Sequence, residues 1–223
     1  MIRAFSNINA NTLPESLPLF PLSGALLLPH GHLPLNIFEP RYLNMTEDAL
    51  SNGRLIGMIQ PEKSYSEIVP DDEGLYPVGC CGQIISFEET GSGNLFIALR
   101  GLCRFRLKRE LDNKKGYRRA TVDYTSYIND FHEDTGKIND RQRLLDVVQK
   151  FFVVKNIDVD WEAIKTAADE TLVTSLSMIC PFEAREKQAL LEANNMTERS
   201  SLLTSLAEMA MHSNNYQTGA FQH

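Results

Sequence analysis

His30 and His32 stand two residues apart across Gly31, a spacing that lets both imidazoles project to one side and share a metal ion. A structural metal needs further ligands, and no carboxylate or thiol lies within easy reach in the sequence, so the pair is expected as exposed turn residues. His132-Glu133 opens like the zinc-protease helix motif, but Gly136 stands where the second histidine belongs. Gly136-Lys137 is followed by Ile138 and lacks the upstream glycine that cradles phosphate, which excludes ATP hydrolysis by a P-loop. Gly91-Ser92-Gly93 begins as a dinucleotide fingerprint does, yet Phe96 takes the place of the last glycine, so this stretch is expected as a hairpin turn. Of four cysteines, Cys80 and Cys81 are neighbours that a strand would point to opposite faces, while Cys103 and Cys180 are isolated. With no C-x-x-C pair, buried thiols are the expectation. No cofactor, metal or catalytic constellation is expected.

The remaining feature with chemical content is electrostatic. Between Arg100 and Arg119 stand nine basic residues against two acidic ones, Glu110 and Asp112, in a chain whose formal net charge is −7. Arg100, Arg104, Arg106 and Lys108 share one parity, so on a regular strand they form one outward stripe. These four are the candidate partner-binding residues. The stripe has two further readings: a solvated face that blunts aggregation, or an RNA-binding surface, against which stands the lack of interleaved aromatic stacking platforms. Glu39 and Arg41 pose a smaller question. They are either a surface recognition point or a carboxylate favoured at a helix N-terminus and neutralised by its neighbour, and the local helix geometry favours the second.

The elements that position these residues follow from periodicity. Leu17, Leu19 and Pro21, then Leu26 to Leu28, form short apolar runs broken by Pro18, Gly24 and Pro29, as expected of short or edge strands. Leu33 to Phe38 reads as another strand, and Pro40 starts a helix whose apolar face, Tyr42, Met45, Ala49 and Leu50, ends at Asn52-Gly53. From Leu95 to Leu107 the odd positions are apolar or small, giving a long strand bent at Gly101. It pairs with the run at 84–89 through Thr90 to Asn94, and a further strand, 118–128, follows a polar turn at 112–116. Beyond 131 the period becomes helical, with helices expected at 139–155, 160–169, 171–179, 183–193 and 197–212. The division is therefore a β-rich unit over 1–131, a helical bundle over 138–212 and a tail over 213–223 too poor in apolar residues to order itself.

Composition fits a soluble protein with a sizeable core. Net charge disfavours general affinity for nucleic acid or anionic membrane, no run approaches a membrane span, and residues 1–16 lack the apolar centre of a secretion signal. A cytoplasmic location is expected.

Several segments in order, PLFPL at the start, IFEPRY at the strand-to-helix corner, RLIGMIQP, LYPVGCCGQI, LRGLCRFRL and EKQALLEANNMTERSSLL, carry a resemblance over most of the chain. It resembles the N-terminal, substrate-binding domain of the ATP-dependent Lon proteases, and most nearly the free-standing bacterial proteins that consist of this domain alone. The resemblance implies an α+β fold, a six-stranded PUA-like pseudo-barrel with one helix followed by a C-terminal helical bundle. The ATPase and Ser-Lys peptidase domains of Lon belong to parts of that architecture that do not match this chain. The resulting expectation is a non-catalytic module that binds unfolded or peptide segments of proteins, with an ATP-dependent protease or a chaperone as a candidate partner. An RNA-binding PUA-like protein using residues 100–119 is the alternative, and a small-molecule enzyme with its site between barrel and bundle is a weaker third.

Overall fold

The computed structural model describes residues 12–218 except Glu67, with side chains described as far as Met211. The expectation about a secretion signal, which concerns residues 1–16, and the last five residues of the expected tail thus fall largely outside the described residues.

Six strands form one sheet: β1 (Ser16–Pro21), β2 (His32–Ile37), β3 (Leu55–Ile59), β4 (Val78–Glu89), β5 (Leu95–Lys114) and β6 (Tyr117–Asp123). Their order is β2-β5-β4-β3-β1-β6, and the far half of β5 also pairs with β6, which closes the sheet on itself. All pairings are antiparallel except β1 with β3. Leu26 to Leu28 do not form a strand. They run unpaired between β1 and β2, each no more than 3% exposed, held by burial. Strand β6 starts after a turn in which Lys115 and Gly116 both have positive φ, the geometry that suits a tight hairpin. It ends earlier than the alternation suggests, because the Asp123 carboxylate accepts from the Thr125 amide at 3.1 Å and its hydroxyl at 2.7 Å and turns the chain into a 3-10 stretch, Thr125–Phe131.

Helix α1 (Pro40–Ser51) begins with Pro40 in its first turn, where the missing N–H costs nothing, and packs Tyr42 on Phe20 with ring centroids 4.2 Å apart. The Asp48 carboxylate, on its solvent side, ties it to the β5–β6 hairpin through Lys115 at 2.7 Å, Lys114 at 2.9 Å and the Tyr117 hydroxyl at 2.8 Å. Hydrogen bonds from Lys115, Lys114 and Tyr117 hold this carboxyl well below the usual carboxylate range. Because its folded-state pKa is depressed, the stabilisation is present above the ordinary value of 3.8 and is lost as pH falls through the lower folded value. Asp48→Asn should therefore cost about 1 kcal/mol at neutral pH. Urea titrations at successively lower pH should bring variant and parent together in strong acid; a gap that does not narrow would rule out this account.

Five helices follow: α2 (Arg141–Lys155), α3 (Trp161–Thr166), α4 (Asp169–Ile179), α5 (Ala184–Glu192) and α6 (Met196–Thr218). Their starts carry local signals. The Asp140 and Asp160 carboxylates accept the first free amides of α2 and α3, Glu183 and Glu186 form a capping box on α5, and the Asn195 side chain accepts from Glu198 N. The break before α4 falls at Ala167-Ala168, because Arg141 takes the carbonyls of Lys165 and Ala167 that a continuing helix would have used. Helix α6 runs six residues past its expected end at 212. One core cluster joins the outer side of the sheet to these helices, taking in Ile56, Cys80, Leu99, Phe151, Leu176 and Leu203, whereas a second, with Leu19, Cys81, Cys103 and Phe105, fills the interior of the closed sheet.

Candidate protein-binding surface

Strand β5 carries the basic run, and its register decides where each charge points. Cys81 pairs with Cys103 and Gly82 with Gly101, so Leu102 is an extra residue without a partner on β4. Such a bulge reverses the alternation beyond it. Ile97, Leu99 and Gly101 lie on the helix side of the sheet, and past the bulge that side belongs to Arg104 and Arg106, while Cys103 and Phe105 turn into the interior. A second shift between Leu107 and Arg109 leaves Lys108 extra.

The expected stripe is therefore corrected. Arg100 lies on the opposite side from Arg104 and donates to the Gln83 side chain at 3.0 Å. Arg104 is 6% exposed, because the bulge directs it under the helices. Its guanidinium grips Asp130 at 2.7 and 2.9 Å, donates to the carbonyls of Leu191 and Ala193 at the end of α5 and lies over the Tyr127 ring. Arg199 of α6 donates to the neighbouring carbonyls of Leu190 and Ala193, and burial together with the adjacent Arg104 lowers its guanidinium to about 10. Two arginines from different elements thus cap one helix end, where the carbonyl dipoles favour positive charge. Arg106 and Lys108 are exposed, and Lys108 sits 3.6 Å from Asp123.

Most of the remaining positive charge is matched internally. Lys114 and Lys115 meet Asp48, Arg118 is buried and meets Glu110 and the Glu73 carbonyl, and Arg119 donates to the Asp112 carbonyl. Among the described residues, Arg106 and Arg109 keep no carboxylate partner. The run that reads as a patch in sequence is in large part a set of clamps between elements of the fold.

The Glu39–Arg41 corner is likewise a clamp. Arg41 donates to Glu39 at 3.0 Å, to Asp71 at 2.6 Å and to the Val69 carbonyl at 3.0 Å, fixing the long β3–β4 connection against α1. Glu39 itself makes no side-chain cap bond. His30 is exposed at the turn before β2 and His32 is exposed at the first position of that strand, and no group of three or more His, Cys, Asp or Glu among the described residues is arranged to hold a metal. The four thiols are free and buried, Cys80 and Cys81 on opposite sides of the sheet, and burial pushes Cys81 and Cys180 up to about 12. A cleft of about 350 Å³ does lie between sheet and helices, but Arg104, Arg199 and Asp134, which line it, are engaged with main-chain groups or with Asp130.

What the surface offers instead is apolar. The β4–β5 hairpin extends past the end of β3, which pairs only with Cys80 to Gln83, and carries Phe87 and Phe96, each 50% exposed. Phe38, directly after β2 and 61% exposed, lies at the same end of the sheet, since Ile37 pairs with Leu95. Single exposed apolar residues need no explanation, but three phenylalanines at one end of one sheet have the character of a contact surface. One sign was available in the sequence: Phe96 falls on the even, outward positions of the strand, the parity of Arg100, Arg104, Arg106 and Lys108.

Residues 16–208 match the family of the ATP-dependent protease La (LON) substrate-binding domain. The chain belongs to that family. The LON-domain match takes in the closed sheet and the helices through most of α6. Among relatives, a Lon protease of Flavobacterium johnsoniae is 25% identical over 201 residues, 86% of this chain and 24% of that protein. Lon protease 2 of Myxococcus xanthus is 30% identical over 116 residues, 52% of this chain and 14% of that protein. The chain thus spans about a quarter or less of the curated Lon relatives it matches. Two solved LON domains share the fold, both with a TM-score of 0.58: a Lon N-terminal domain protein from Xanthomonas campestris, at 22% identity over 85% of this chain and 97% of that one, and the N-terminal domain of Mycobacterium avium complex Lon protease, at 14% identity over 86% and 98%.

Proposed function

We propose that this LON substrate-binding domain acts without catalysis of its own, binding exposed, unfolded segments of protein substrates on the aromatic end of its sheet. The observation that carries the reading is the set of exposed phenylalanines at one end of the sheet, Phe87 on one face of the β4–β5 hairpin, Phe96 on the other and Phe38 directly after β2 beside it. Unfolded chains differ from native ones mainly in the apolar side chains they expose, and burying aromatic surface against those side chains is the interaction that discriminates between the two. Membership in a family described as substrate-binding supports the same reading. The partner machinery is an ATP-dependent protease or a chaperone, and buried free thiols suit the reducing cytoplasm.

The test is binding of a labelled protein client, native and denatured. The denatured form should bind and the native form should not, and Phe87→Ser/Phe96→Ser should weaken the denatured complex about tenfold or more, as expected when two aromatic contacts are lost. Because both rings are half exposed, the melting temperature should scarcely move. Equal binding of native and denatured client, or full binding by the double variant, would remove the proposal.

A further inference from the structure

Strand β4 has a free edge where the aromatic end begins. Beyond Ile84, whose amide donates to the Arg54 carbonyl at 2.8 Å, no described strand pairs with its outer side; Ile85 is an extra residue at a bulge, and Ser86 to Glu89 pair with β5 alone. Which main-chain groups face outward follows from the ladder. The Thr90 amide donates to the Asn94 carbonyl at 2.8 Å, which makes Thr90 and Asn94 a hydrogen-bonded pair. Antiparallel pairs alternate, so Glu89–Leu95 is not hydrogen-bonded, Glu88–Phe96 is, and Phe87–Ile97 is not. The N–H and C=O groups of Phe87 and Glu89 therefore point away from β5, to the open side.

The same alternation on the other side of β5 directs Leu33, Leu35 and Ile37 to β5 and leaves Pro34 and Asn36 outward on the sheet's other edge. Pro34 has no N–H to offer, so that edge is blunted, as proline on an edge strand does. The β4 edge keeps both donors and both acceptors.

We propose that this edge takes an extended polypeptide as an added strand, in which apolar and basic residues alternate; the inference rests on the substrate-binding reading above and specifies its mode and ligand class. A residue placed opposite Phe87 shares its face, which continues inward through Ile97 and Leu35, both buried and apolar. The flanking residues of the added strand fall on the other face, beside Glu88, whose cross-strand partner is the exposed Phe96. Glu88 has no cationic partner among the described residues and can face a lysine or arginine, with the Phe96 ring next in line. Main-chain pairing supplies affinity without regard to sequence, and the alternating side chains supply the preference.

The experiment uses the full chain and three fluorescein-labelled heptapeptides, read by anisotropy: alternating valine and lysine, the same with glutamate for lysine, and the lysine form N-methylated at alternate residues. The lysine peptide should bind, with the glutamate form and the N-methylated form each weaker by about fivefold to tenfold, the scale of a few net hydrogen bonds or charge contacts. Glu89→Pro, which removes one outward N–H, should weaken binding similarly, while Glu89→Gln should keep most of it. If the N-methylated peptide binds as well as its parent, strand addition is wrong, and this arm needs no variant to fold. Should Phe87→Ser/Phe96→Ser still weaken binding in that case, the aromatic surface stands and only the mode falls. Equal affinity for lysine and glutamate peptides overturns the basic preference, and failure of the parent chain to bind any peptide or denatured client removes both proposals.

Discussion

Arg104→Ala should lower stability by about 3 to 5 kcal/mol, the range for removing one partner of a buried ion pair. The loss has three parts: Asp130, whose side chain is 9% exposed, is left charged and without its guanidinium; the Leu191 carbonyl loses its donor; and Tyr127 loses its stacked cation. Ala193 retains a bond from Arg199, which limits but does not cancel the damage. Arg104→Lys should recover little, because one ammonium cannot reach a carboxylate and two helix carbonyls with the fixed fork of a guanidinium. Arg106→Ala, two residues along the same strand but exposed, should stay within about 0.5 kcal/mol of the parent. Urea unfolding of the three variants separates the cases. If Arg104→Ala fell within about 1 kcal/mol of Arg106→Ala, the grip on α5 would not be what fastens sheet to helices.

Gly101→Ala should be comparably severe for a steric reason. A Cβ at this position would lie 1.9 Å from the Leu28 carbonyl oxygen and 2.7 Å from its carbon, both backbone atoms. The segment cannot retreat freely, since the His30 amide donates to the Gly101 carbonyl at 3.0 Å and the Gly101 amide to the Gly31 carbonyl at 2.9 Å. Relief requires breaking those bonds or unpairing β5 at its bulge, an expected loss of about 3 kcal/mol or more, at the upper end of overpacking costs. Thermal melting of the purified variant checks it. A midpoint equal to the parent's would mean that the 26–31 segment is loosely held, contrary to the burial of Leu26, Leu27 and Leu28.

Sequence periodicity found the long strand from Leu95, the helical turnover after residue 131 and most helix starts, because these depend on patterns of apolar spacing and on capping residues a few positions apart. It could not find Leu102 as an extra residue. Both Leu102 and its neighbours are buried, so no break in hydrophobic pattern betrays the shift, and Arg104 keeps the parity of a solvent-facing residue while its partners, Asp130, Leu191 and Ala193, are distant in the chain. The misplacement of the basic stripe follows from that one residue. The phenylalanine end was missed for a different reason: exposure of Phe87 depends on where β3 stops pairing with β4, a matter of register between segments and not of either segment's own sequence.

For the history of such a chain, the Leu102 bulge means that the middle of β5 does not behave as its loops do with respect to length. Surface connections absorb a gained or lost codon at small cost, whereas here loss of Leu102 would restore plain alternation with every side unchanged and gain of one residue after it would exchange the two sides of everything up to the next irregularity at Lys108. With such a gain Cys103 and Phe105 would be carried out of the interior and Arg104 into it, an inversion that no single substitution could repair. Length at this point is thus as much a part of the chain's specification as the identity of any side chain on it.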